Sequence, residues 1–235
     1  MTKLLLPLFS CILMLLATGC KHCYHIEGTS TSSLLDGRML YLKVPDGEIL
    51  KIIDSCEVLH GAFTMKGDVK EPLFTQLFMD GDNLMPVVLE SGHIIITLDE
   101  AGMRASGTPF NDQLYNLINA RTKYNSQLDE LEHRENLLMM DGVSHDEAVA
   151  RFAAQRDTIM RRSRDLMVDF MHANYDNVLG PNVFIMLCST LPYPMITPEI
   201  EMILNDAPPA FCENPYIKEF VAMARENMLR LSRGN

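Results

Sequence analysis

Tryptophan is absent from this 235-residue sequence, and aromatic residues make up only 7% of it. That poverty argues against a carbohydrate-stacking surface, which needs flat rings. Positive charge is also scarce: 20 Lys and Arg face 31 Asp and Glu, for a formal charge of −11. So acidic a chain repels phosphate backbones, and nucleic acid is not expected as a partner. Motifs that announce chemistry are missing too: there is no Gly-x-Ser-x-Gly elbow, no Gly-rich phosphate loop and no His-Glu-x-x-His. The seven histidines show no metal spacing, and His93 and His172 read as a strand start and a helix end. The expectation is a protein that is not an enzyme, with no cofactor, no metal and no catalytic residue. Asp80-Gly81-Asp82-Asn83 looks oxygen-rich but lacks the other ligand positions of a calcium loop, so it reads as a hairpin turn.

A bilayer-spanning run is lacking as well. The apolar stretch Leu4–Ala17 has fourteen residues, broken by Pro7 and Ser10, where a span takes roughly 20. Behind Lys3 and ahead of small residues, it is a secretory signal peptide over 1–19. Leu16-Ala17-Thr18-Gly19-Cys20 resembles the lipobox of bacterial lipoproteins, with Ala17 where leucine is more usual. Cys20 is therefore the expected lipidation site, its acyl groups (palmitate among them) holding the chain to a membrane. Lys21-His22 follows without the acidic run that resembles a surface-export signal of bacterial lipoproteins, so the expected position is the cell envelope, facing the periplasm.

Once Cys11 leaves with the signal and Cys20 is acylated, Cys23, Cys56, Cys188 and Cys212 remain. Four cysteines allow three full pairings. Cys188–Cys212 is the candidate disulfide, against the alternative of free buried thiols. Cys20-x-x-Cys23 has redox spacing, but it sits in a tether with one sulfur acylated.

From 20 to 106 the pattern is β-rich. Polar and apolar residues alternate in Arg38–Val44 and Ala62–Lys66, and His93–Leu98 is a more continuous β-branched run. Asp36-Gly37, Asp46-Gly47 and Asp80-Gly81 punctuate it with hairpin turns. An antiparallel, sandwich-like domain is expected.

The character changes at Gly107, and 107–235 reads as an α-helical segment. Thr108 can cap and Pro109 suits a first position; Phe110, Leu114, Leu117, Ile118, Tyr124, Leu128, Leu131 and Leu138 then share one helical face. Asp141-Gly142-Val143 breaks it, and the capping box Ser144-x-x-Glu147 opens a second helix striped by Ile159, Met160, Met167, Phe170 and Met171. The two form a long antiparallel hairpin. Three shorter helices follow, over 183–191, 199–205 and 215–231. Strands followed by helices make the fold α+β. Arg121, Glu135 and Arg156 interrupt the apolar stripes, either reaching out to water or forming an ion pair or polar site. Counting back from the turn sets Arg156 level with Asp129 or Glu132 as its partner.

Ile53-Asp54-Ser55-Cys56 through Gly61-Ala62-Phe63-Thr64-Met65-Lys66-Gly67, then Glu71-Pro72, resembles the domain of unknown function 4369. That module occurs in exported lipoproteins of Bacteroides-type bacteria, commonly ahead of a thioredoxin-like domain. Gly107-Thr108-Pro109-Phe110-Asn111 resembles its join to a helical segment, and Asn177-Val178-Leu179-Gly180 a later stretch, so the resemblance covers most of 24–230. The Cys-x-x-Cys redox domain of many relatives has no counterpart up to Asn235. The resemblance thus implies a non-catalytic binding or scaffold lipoprotein, attached to the membrane through its N-terminal lipid and meeting an envelope protein partner. The alternative is an accessory to a separate thioredoxin-like thiol-disulfide oxidoreductase.

Overall fold

The computed structural model describes residues 22–47, 49–99 and 102–233. The signal segment 1–19 and the lipidation residue Cys20 lie outside the described residues. The chain divides into two compact units, one ending at Asp112 and the other beginning at Gln113.

Among the described residues the first unit holds eight strands: β1 (Cys23–Ser30), β2 (Met39–Asp46), β3 (Ile49–Glu57), β4 (Ala62–Asp68), β5 (Leu73–Met79), β6 (Asp82–Leu89), β7 (Gly92–Asp99) and β8 (Gly102–Ser106). They form two four-stranded sheets, ordered β4-β1-β7-β8 and β3-β2-β5-β6. β3 lies against β4 and β6 against β8, so the sheets meet along both edges. Alternation buries one side of each strand: Ile26 and Met65 in the first sheet, Leu40 and Leu42 in the second. The antiparallel expectation needs one correction, because β1 and β7 pair in parallel, His25 level with His93. A second correction concerns Cys23. It is not in a loose tether but opens β1, level with Asp68, to whose Oδ1 its Sγ donates at 3.1 Å.

One contact ties the two sheets together, and a second fixes β1 against β4 within the first. Tyr24 of β1 donates its hydroxyl to Asp54 Oδ2 of β3 at 2.7 Å, and burial with that carboxylate pushes the phenol pKa above its ordinary range. Gly28 is required by the Phe63 ring, which would come within 2.0 Å of any Cβ there. Asp80 takes the left-handed conformation (φ 53°) in the two-residue turn between Met79 and Asp82, so this stretch is the hairpin expected.

The helices are α1 (Pro109–Met140), α2 (His145–Asn174), α3 (Leu179–Ser189), α4 (Pro198–Asp206), α5 (Pro209–Cys212) and α6 (Pro215–Arg233). The fold class is α+β, as the order of strands and helices implied. Ser144 Oγ accepts the Glu147 N–H at 3.3 Å and caps α2, while the Glu147 carboxylate, the other half of the expected box, pairs with Arg151 at 2.7 Å. α1 and α2 run as a hairpin, with the Arg134 guanidinium 4.4 Å above the Phe152 ring. Four short helices follow rather than three, α5 being a single turn after Pro208. α3 starts at Leu179, upstream of the expected Val183, because Pro181 falls in the first turn, where no N–H is needed. Its entry turn needs Gly180: a Cβ there would lie 2.3 Å from the Asn174 carbonyl oxygen. Phe184, with no exposure, sets its ring edge-on to Phe211 at 5.6 Å and Phe220 at 6.0 Å. Met160, expected in the core stripe, is 54% exposed.

Candidate functional site

Within the helical unit, α1, α2, the end of α3 and the start of α4 enclose a cleft of about 630 Å³. Its apolar wall includes Leu128, Met160, Leu187 and Ile200, and its charged side carries Arg121, Arg161 and Arg164 against Asp157 and Glu199. Arg121 Nη1 stands 3.4 Å from Glu199 Oε1. Arg164 Nη2 reaches Asp165 Oδ1 at 3.4 Å, while its Nε is buried without a hydrogen-bond partner. Two threonine hydroxyls in the lining are already committed. Thr197 Oγ1 accepts the Ile200 N–H at 3.2 Å and caps α4, and Thr190 Oγ1 donates to the Leu187 carbonyl at 2.7 Å. Three guanidiniums, two carboxylates and an apolar wall suit the holding of an anion with an apolar body.

Burial raises the pKa of Glu199 above 4.5, against the opposing pull of Arg121 and Arg164. A carboxyl with a raised folded-state pKa contributes stability that is present below the unfolded value and lost as pH rises through the folded one. Thermal melts across that window will therefore show Glu199→Gln gaining on the wild type as pH increases from 4 to 7. Parallel pH profiles would contradict the assignment.

Of the three charged residues that interrupt the stripes, Arg121 reaches this cleft and the other two pair with each other. Arg156 Nη2 contacts Glu135 Oε1, with Glu135 only 6% exposed. The expected partners Asp129 and Glu132 are displaced by Glu135 for a geometric reason. Helical side chains lean toward their own N-terminus, so Arg156 leans toward the hairpin turn and Glu135 away from it. Counting residues at the level of their Cα atoms misses both tilts.

Among the described residues no two cysteines are joined in a disulfide. Cys188 and Cys212 are free thiols, so the candidate bridge between them is not formed. Burial pushes the Cys188 thiol up to about 12 and that of Cys56 up to about 11. With so little thiolate at pH 8, and only part of that loss offset by the greater nucleophilicity of a high-pKa thiolate, Cys188 should alkylate at least about 10-fold more slowly than an ordinary cysteine. Mass-resolved iodoacetamide labelling of the native chain checks this, and prompt labelling of Cys188 would refute it.

Sequence reasoning missed the cleft apart from Arg121. The available signal was Arg161-Arg162-Ser163-Arg164 within α2, where i and i+3 place two arginines on one face.

Residues 24–114 match the family model described as Domain of unknown function (DUF4369). The matched stretch takes in the strands and the start of α1, including Gly107–Asn111; Asn177–Gly180 and the rest of the helical segment lie beyond it. No curated protein and no solved structure matches the chain.

Proposed function

We propose that this chain, with its DUF4369 match over residues 24–114, is a lipid-anchored binding module of the bacterial cell envelope whose ligand seat is the arginine-lined cleft. The anchor rests on the first twenty residues: a short basic start, an apolar run too brief to span, and small residues ahead of Cys20. Among the described residues no helix is long and apolar enough to cross a membrane. β1 begins three residues after Cys20, so an acyl group there leaves at most about 11 Å of chain before the sheet. The strand unit is held close to the bilayer, on its periplasmic side.

The observation that carries the binding role is the buried, unpartnered Nε of Arg164 at the cleft. A buried donor without an acceptor is costly, and an anion entering the cleft would relieve it. The ligand is a carboxylate or similar anion carrying an apolar body. With Cys56 and Cys188 held protonated by burial, those two thiols lend no support to the alternative of an accessory to a thioredoxin-like oxidoreductase.

Titration calorimetry with decanoate, on the Cys20→Ser chain so that no detergent is needed, tests the cleft. One saturable site is expected, weakened about 10-fold in Arg164→Met, the equivalent of one lost charged hydrogen bond. Absence of saturation, or equal binding by the variant, would remove the cleft from the account.

A further inference from the structure

Three metal-competent side chains converge on the outer face of the first sheet. β1 and β7 are parallel neighbours, with His25 level with His93 and Glu27 two residues along from His25. The inward neighbours Ile26 and Ile94 are fully buried, so strand alternation turns His25, Glu27 and His93 outward together. His25 Nε2 lies 3.4 Å from Glu27 Oε1, and His93 Nε2 lies 3.1 Å from Glu27 Oε2. The two imidazoles stand 5.1 Å apart, and one donor atom from each of the three residues falls within 4.8 Å of the others.

Zinc holds imidazole nitrogens and carboxylate oxygens at about 2.0–2.2 Å in a tetrahedron, which sets neighbouring donors about 3.3 Å apart. Each histidine Nε2 already stands near that edge length from a Glu27 oxygen, His25 from Oε1 and His93 from Oε2, and the donor set of one atom per residue, within 4.8 Å throughout, would tighten by side-chain rotation around an ion. We propose that His25 Nε2, His93 Nε2 and the Glu27 carboxylate form a binding site for a divalent transition-metal ion of the zinc class. The donor set selects that class: two nitrogens and one carboxylate suit zinc, copper or nickel, whereas calcium and magnesium require shells of oxygen. Three protein ligands leave one position for water or for a donor from another molecule. Lys66, level with His25 on β4 and turned to the same side, opposes the dication and keeps the site weaker than a closed structural one.

The site escapes spacing rules because its ligands come from different strands with sixty-seven residues between His25 and His93. His25-x-Glu27 is nonetheless the strand counterpart of the helical i, i+4 pair, with two donors on one face.

The full-length chain in detergent, stripped of metal, is titrated with Zn²⁺ alone against a chromophoric chelator. One equivalent is expected to bind at micromolar concentration or below, and His25→Ala or His93→Ala each to weaken it at least about 10-fold. Cys23→Ser, controlling for thiol binding near the start of β1, should change nothing. All these positions face water, so circular dichroism should report folded variants. Failure to saturate below about 100 μM Zn²⁺, affinity unchanged in the histidine variants, or affinity lost in Cys23→Ser would overturn the site. The outcome is independent of ligand binding in the helical cleft.

Discussion

Asn111→Ala is expected to destabilise the strand unit by about 3 kcal/mol, because three buried hydrogen bonds end on one amide. Asn111 has no exposure. Its Oδ1 accepts the Val88 N–H at 3.0 Å, and its Nδ2 donates to the Val88 carbonyl at 2.7 Å and to Thr108 Oγ1 at 2.9 Å. The side chain behaves as an extra strand residue, satisfying both backbone groups of Val88 at the rim of β6. Alanine leaves those groups buried without partners. The same junction anchors the start of α1, where Glu90, 6% exposed, accepts the N–H groups of Phe110 and Asn111 at 2.8 and 3.2 Å. A carboxylate facing two orphan N–H groups at a helix start is favoured by the helix dipole as well. Amide hydrogen exchange separates the effects: Val88 should lose protection in Asn111→Ala. A stability change below about 0.5 kcal/mol, or unchanged exchange at Val88, would contradict this reading.

Arg156→Met should cost the helical unit about 2–3 kcal/mol, because it strands Glu135 as a buried carboxylate. The figure sits below the 3–5 kcal/mol of a wholly buried pair because the arginine side chain is 27% exposed while that of Glu135 is 8%. Replacing both residues removes the desolvation cost with the attraction. The double variant Glu135→Leu/Arg156→Met should therefore be more stable than Arg156→Met alone. Urea unfolding followed by the helical dichroism signal measures all three. A double variant no more stable than Arg156→Met alone would mean that the pair does not act as a unit.

What was legible in the sequence was local. Asp80-Gly81 between apolar alternations specifies a two-residue hairpin, and Ser144 with Glu147 specifies a helix start, since both signals act within four residues. Partners chosen across the fold were not legible. The β-branched run His93–Leu98 says that a strand forms there, yet nothing about β1 lying parallel alongside. Thr108 was the expected cap of α1, yet the Phe110 and Asn111 amides go to Glu90, about twenty residues upstream. The Arg156–Glu135 pair was half visible, its charges evident and its register hidden by side-chain tilt. Met160 satisfied the stripe arithmetic and still came to the mouth of a cleft, because helical phase fixes a side and not what covers it. The metal-competent triad was least visible, since it exists only once β1 and β7 are in register.

The anchor is the claim on which the placement of both sites depends. Intact mass spectrometry of the chain recovered from the membrane fraction of its own cells tests it most directly. The predicted result is a polypeptide beginning at Cys20 with the added mass of its acyl chains, shifted to the soluble fraction by Cys20→Ser. A soluble chain still carrying Met1, with no acyl mass on Cys20, would contradict it.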